Sequence, residues 1–309
     1  MSVVDVKLSP ATSSPKTSVF ERGNLKMKEI KVERSADRKE VYIVSPTKEG
    51  KYPVFVFIHG CCVSNTTYSH LLQHVASHGF IAVAPADPLV SSLLCCFGKQ
   101  ELKSDGNVLE WLAEGLPTVL PDNVTADTTK IAVGGHSRGG KIAFALAISN
   151  THLKISAVFG VDPVAGGSTD NRTDPKIFSY IPRCLDLNVP VAIIGTGLGS
   201  QAKCLMPPFA PCGVNHAEFF NESKPPIYYF LAKDYGHGDM LDDGIEYWFT
   251  KLLTKHGKGS KELMIKACGG IIVAFLNAKL KGEDEDLIII GVQPNIAPIK
   301  LDPVLYVEN

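Results

Sequence analysis

With 309 residues, 45% of them apolar and 20% charged, the chain carries material for one large hydrophobic core. Its net charge of −1 excludes a global bias towards nucleic acid or anionic surfaces, although a local basic patch is compatible with that sum. The eight cysteines form no C-x-x-C pair and no His/Cys cluster of zinc spacing, so thiols in a reducing compartment are expected, with a Cys204–Cys212 bridge left open.

The segment 1–23 is rich in Ser and Thr, lacks the apolar core of a secretory signal, and is expected to be disordered. As a plastid transit peptide it would be a poor one, with Asp5 present and no arginine before Arg22. Residues 24–309 are expected to form one domain. "KMKEIKVER" (26–34) and "KEVYIVSP" (39–46) alternate apolar with polar residues, as half-exposed antiparallel strands do. "VFVFIHG" (54–60) is a continuous apolar run suited to a strand buried on both faces. A helix is predicted over 68–77 and a strand over 80–85, followed by a long connection with an apolar centre, "VSSLLCCFGKQELKS" (90–104). Ser104 or Asp105 can cap the helix that begins at "GNVLEWLAEGL".

Strands are then predicted at 130–135, 155–161, 189–197 and 226–234, with a helix after Ser137, another over about 242–255 and a last one over 261–280. Within that last helix "GGIIVAFL" (269–276) is the longest apolar stretch, short of the ~20 residues of a membrane span. The tail 286–309 is apolar enough for part of it to pack on the body. Antiparallel strands followed by alternating strand and helix indicate an α/β architecture: a mostly parallel central sheet with helices on both faces.

Chemistry is sought at the carboxyl ends of such strands. "GGHSRGG" (134–140) sets Ser137 between Gly135 and Gly139 where a strand gives way to a helix, the nucleophile-elbow pattern G-x-S-x-G. Asp162 follows the strand 155–161, and His237 follows the strand 226–234 in "DYGHGD". The order Ser…Asp…His is that of the α/β-hydrolase fold. The chemistry needs all three types. A serine hydroxyl attacks only when an imidazole takes its proton, and the imidazole needs a carboxylate to set its tautomer. The imidazole must be neutral to do so, and activity is therefore expected to fall on acidification.

For the acid, Asp170, Asp174 and Asp186 compete with Asp162, which could instead be a turn former before Pro163. His216 is the rival base. His70, His74 and His78 share one helical face and are expected to form an exposed polar stripe rather than a metal site, since no further ligand appears at matching spacing. Backbone N–H groups of Arg138, after the nucleophile, and of Cys61, after "FIHG", are the candidate oxyanion donors. Four N-x-S/T sequons, starting at Asn65, Asn123, Asn171 and Asn221, are read as coincidence.

Five stretches carry a wider resemblance: "FIHGCC" (57–62), "GHSRGGK" (135–141), "VFGVDPVAG" (158–166), "APCGVNHAEFF" (210–220) and "AKDYGHGDMLDD" (232–243). Through them the chain resembles plant chlorophyllases over nearly its whole length. The resemblance implies hydrolysis of the phytyl ester of chlorophyll to chlorophyllide and phytol. It places the nucleophile, acid and base on Ser137, Asp162 and His237, with no cofactor and no metal beyond the substrate's own magnesium. It also implies a chloroplast location, with cytosol or endoplasmic reticulum as alternatives given the poor transit signal.

The apolar loops 89–98 and 204–213 suit a phytyl chain and macrocycle, or simply cover the core. Peripheral contact with plastid membranes, through Leu93 and Leu94, is a related expectation; no nucleic-acid partner is expected. The competing functions are an esterase or lipase for other hydrophobic esters, and a non-catalytic binding protein on the same scaffold.

Overall fold

The apolar runs pair side by side into one sheet. In the computed structural model, which describes residues 17–35, 40–86, 107–149 and 154–308, the strands are β1 (Met27–Val32), β2 (Val41–Pro46), β3 (Gly50–Ile58), β4 (Ile81–Pro85), β5 (Val124–His136), β6 (Ile155–Val161), β7 (Val191–Thr196), β8 (Ile227–Ala232) and β9 (Leu301–Val307). Their order is β1-β2-β4-β3-β5-β6-β7-β8-β9. The six strands from β4 through β3 to β8 are parallel, while β1, β2 and β9 run antiparallel to their neighbours. This is the α/β-hydrolase fold.

The helices are α1 (Ser69–Ser77), α2 (107–114), α3 (Arg138–Ile148), α4 (His216–Glu222), α5 (Ile245–Leu253), α6 (Lys261–Leu276) and α7 (Glu285–Val292). Successive side chains of a strand point to opposite faces, so each central strand feeds two cores. Phe55 and Phe57 of β3 pack with Leu71, Leu72 and Val75 of α1 and with α6. Val54, Val56 and Ile58 pack with Leu109 and Leu112 of α2 and with Ile142 and Phe144 of α3. This double coverage explains why the parallel strands read as unbroken apolar runs.

Several expectations change. All six residues of β2 are buried rather than half-exposed, because β1 and β4 flank it and both cores reach it. β1, at the sheet edge, keeps the half-exposed pattern. β5 begins earlier than predicted, because Val124–Asp127 pair with Gly50–Pro53 before the register shifts at Pro53/Val54. The tail supplies α7 and β9, whose hydrogen bonds to β8 close the far edge of the sheet. No disulfide joins the six described cysteines, Cys204 and Cys212 included, and burial pushes the Cys268 thiol up to about 12. The capping residues Ser104 and Asp105, and the loop 89–98 with Leu93 and Leu94, lie outside the described residues.

Disorder expected to residue 23 does not hold for 17–23: Val19 and Phe20 are buried in the core beside α1 and α6. A Cβ on Gly270 of α6 would lie 2.3 Å from the Phe20 ring, so the glycine makes room for that ring. The helical run Lys261–Lys281, 21 residues, is long and apolar enough to cross a membrane. Yet most of its apolar length is buried inside the protein, as a core helix requires. The exposed histidine stripe is also corrected. His70 pairs with Asp242 at 2.9 Å and His78 donates to the Glu21 carbonyl, but His74 is buried and donates to the Val19 carbonyl at 2.7 Å.

Burial, only partly offset by that hydrogen bond, lowers the His74 imidazole to about 4. An unfolded histidine titrates near ~6.5. The unfolded chain therefore binds the proton first, and stability falls as pH drops from about 6.5 towards 4. His74→Gln keeps a donor but no titration, so the gap between melting temperatures at pH 7.5 and pH 5 is expected to narrow. Thermal denaturation at the two pH values checks this; an unchanged gap counts against it.

Candidate active site

β5 delivers Ser137 onto a turn with φ 56° and ψ −125°, a backbone region that costs an L-residue on the order of 1–3 kcal/mol. The strain is held by packing. A Cβ on Gly135 would lie 2.4 Å from the Ile58 carbonyl oxygen, and one on Gly139 would lie 2.1 Å from it. The end of β3 thus presses directly on the elbow, and both flanking positions must be glycine. The Ser137 N–H donates to the Val161 carbonyl at 3.0 Å, and the Ser137 carbonyl accepts from Val164 N–H at 3.0 Å, lacing the turn to the end of β6.

At that strand end Asp162 is fully buried, with φ 40°. Its Oδ1 accepts from the Thr196 N–H at 3.0 Å, and its Oδ2 accepts from Thr196 Oγ1 at 2.7 Å and from His237 Nδ1 at 2.6 Å. On the other side of the same ring, His237 Nε2 lies 2.8 Å from Ser137 Oγ. With the proton on Nδ1 facing the carboxylate, Nε2 is left to accept the serine proton. Burial alone would raise the Asp162 carboxyl, but the His237 hydrogen bond, the nearby His216 and Thr196 prevail and bring it down to about 2. It is an anion at any working pH.

The structure therefore brings Ser137, Asp162 and His237 into one hydrogen-bonded line, which none of the rivals joins. His216 sits on the far side of Asp162, with Nε2 3.8 Å from Oδ1 and Nδ1 bonded to the Tyr229 hydroxyl at 2.8 Å. Burial holds its imidazole below the ordinary range. Asp170, Asp174 and Asp186 are all exposed, and Asp186 pairs with Lys224. The loop bearing His237 is clamped by Asp239, whose Oδ2 accepts from the N–H groups of Gly236 and Gly257, both at 2.7 Å, and whose Oδ1 bonds His256.

Sequence reasoning missed a buried relay behind the site. The Gly60 N–H donates to the Tyr68 hydroxyl at 3.0 Å, and that hydroxyl donates to His136 Nδ1 at 2.8 Å. His136 Nε2 then donates to the His237 carbonyl at 2.9 Å, with the two imidazole rings 4.6 Å apart. These directions need a neutral His136. Burial, helped by the neighbouring His237, supplies that by lowering its imidazole to about 3. The loop after β3 and the base are thereby tied together. The one sequence signal was His136 beside the nucleophile, which reads equally well as a strand-end residue.

The proposed oxyanion donors flank the nucleophile. Arg138 is the first residue of α3, where backbone N–H groups point out of the helix. Cys61 follows Gly60, whose added Cβ would stand 3.4 Å from the Ser137 Cβ. The loop 204–213 reaches the site through Phe209, whose ring lies edge-on to His237 at 6.3 Å. Among the described residues, no group of three His, Cys, Asp or Glu side chains is placed to hold a metal ion.

Comparison with known proteins places the chain in a family. The chlorophyllase family model matches residues 15–308. The chain is 42% identical to chlorophyllase-1 of Arabidopsis thaliana, over 97% of this chain and 96% of that protein. It is 41% identical to the chloroplastic chlorophyllase-1 of Citrus unshiu, over 98% of this chain and 93% of the other. With chlorophyllase-2 of Arabidopsis thaliana it shares 43% identity over 81% of this chain and 80% of that protein.

Proposed function

The chain belongs to the chlorophyllase family of ester hydrolases, and from that membership we propose that it cleaves the phytyl ester of chlorophyll through an acyl-enzyme on Ser137. The observation that carries the mechanism is the unbroken line Ser137 Oγ, His237, Asp162, with separations of 2.8 and 2.6 Å. Ser137 Oγ attacks the ester carbonyl carbon while its proton passes to His237 Nε2. The N–H groups of Arg138 and Cys61 hold the oxyanion that forms. His237 returns the proton to the phytyl oxygen, the C–O bond breaks, and phytol leaves. A water molecule, deprotonated by His237, then attacks the acyl carbon; the bond to Ser137 Oγ breaks as His237 Nε2 returns the proton to that oxygen, and chlorophyllide departs.

Asp162 stays ionised and balances the imidazolium in both halves of the cycle. The magnesium enters and leaves inside the substrate, while the side chains and backbone of the site, with one water molecule, carry the ester cleavage. The loop 204–213, with Phe209 against the base, offers an apolar wall for the macrocycle or the isoprenoid chain. The names of the Citrus unshiu and Citrus sinensis relatives support a chloroplast location for this protein.

Purified protein incubated with chlorophyll, pheophytin and p-nitrophenyl esters tests the reading. Chlorophyllide and phytol are expected, with chlorophyll preferred to a short ester in kcat/KM. A short ester turned over as well as chlorophyll favours a general esterase, and a bound ligand without turnover favours a binding protein.

A further inference from the structure

We propose that the outer face of α5, with the neighbouring loop tip at Leu205 and Met206, is the surface on which the protein docks to an anionic lipid bilayer. The sequence of α5, "IEYWFTKLL", turns Tyr247 and Thr250 inward. Ile245, Trp248, Phe249 and Leu252 stand at helical spacing on the opposite face, 85%, 64%, 57% and 71% exposed. A surface helix ordinarily shows water a polar face, and single exposed apolar residues are scattered rather than aligned. Leu205, 99% exposed, extends the patch, because Lys203 Nζ donates to the Lys251 carbonyl and holds its loop against α5.

Charge selects the partner. The Lys251 ammonium stands 4.9 Å over the Trp248 ring, and Lys255 is exposed beyond it. Of the carboxylates of this region, Glu246 accepts from the Ser64 N–H at 2.9 Å and bonds Thr67, while Asp243, exposed at the start of α5, is balanced by Lys261 at 2.8 Å. The outward face is thus apolar at its centre and cationic at its rim, with an indole at the boundary, the pattern of a helix lying in a membrane interface. A second copy docking by two-fold symmetry would bring this lysine rim against itself. Anionic headgroups complement it.

The patch is also joined to the site. Glu246 grips Ser64, three residues beyond Cys61, so a bilayer under α5 lies beside the loop that flanks Ser137. This inference rests on the reading of the substrate as a lipophilic ester, which such docking would meet at the membrane surface.

Flotation of the full chain with phosphatidylglycerol vesicles and with phosphatidylcholine vesicles tests it without any substrate. The wild-type protein is expected to float with the former and much less with the latter. The triple variant Trp248→Ser, Phe249→Ser, Leu252→Ser is expected to bind phosphatidylglycerol vesicles more weakly by a factor on the order of 10². Its turnover of water-soluble p-nitrophenyl butyrate should stay at the wild-type rate, which certifies the fold. Lys251→Gln with Lys255→Gln should erase the preference for the anionic lipid. A triple variant that floats like wild type overturns the proposal. So does a wild-type dimer that the triple variant dissociates while neither protein binds vesicles. Flotation as expected without chlorophyll hydrolysis upholds the docking face and removes the substrate reading alone.

Discussion

Ser137→Ala is expected to lower the turnover of chlorophyll by about 10⁶ while leaving the pigment bound, as loss of the nucleophile does in serine hydrolases that keep their binding surfaces. The substitution is conservative for the fold. Alanine meets the same backbone penalty at φ 56° as serine, and the glycines packed under β3 are untouched. The hydroxyl lost is the one at 2.8 Å from His237 Nε2, so the base has nothing left to activate but water. Rate and binding are read separately, the first by chlorophyllide release and the second by co-elution of pigment with protein. More than about one part in a hundred of the wild-type rate would mean that another group attacks the ester.

Asp162→Asn is expected to cost about 10⁴ in kcat, the loss seen when the equivalent acid of a serine protease becomes an amide. The local hydrogen bonds supply the reason. Both carboxylate oxygens accept, Oδ1 from the Thr196 N–H and Oδ2 from Thr196 Oγ1 and His237 Nδ1. An asparagine has one acceptor oxygen and an NH₂ group. With the NH₂ towards His237, the ring must carry its proton on Nε2 and can no longer take one from Ser137. Turned the other way, the NH₂ meets the Thr196 N–H in a fully buried site, two donors without an acceptor.

The pH dependence follows with a definite sign. The Asp162 carboxyl, held at about 2, lies below the ordinary value near ~3.9. It therefore contributes stability above that value, which is lost as pH falls towards 2. Its protonation does not set the acid limb of activity at higher pH. Asp170→Asn, at an exposed position, is the control and should be close to wild type. A near-normal Asp162→Asn beside an inactive Asp170→Asn would assign the acid to the wrong residue.

The parts legible in the sequence are those where periodicity and chemistry coincide. Ser137, Asp162 and His237 each stand just past an apolar run, because parallel strands buried on both faces leave polar groups only at their ends. Gly135 and Gly139 were readable as an elbow, although the reason for them, the carbonyl of Ile58 at 2.4 and 2.1 Å from an added Cβ, is a tertiary contact.

What stayed hidden depends on partners far apart in the chain. Val19 and Phe20 look like tail residues until α6 is folded beside them. His74 shares a helical face with His70 and His78, yet the Val19 carbonyl 55 residues away decides that it is buried. β9 became an edge strand only because β8 offers it free backbone groups. Tyr68 and His136 join the β3 loop to His237 through a hydrogen-bonded line that no spacing rule describes.

The most direct test of the acyl-enzyme reading is the site of covalent labelling by a fluorophosphonate, located by peptide mass spectrometry. Stoichiometric modification of the peptide bearing Ser137 is predicted for the wild-type protein, with His237→Ala labelled far more slowly. Modification at a different side chain, or equal labelling with and without the imidazole, would contradict the assignment.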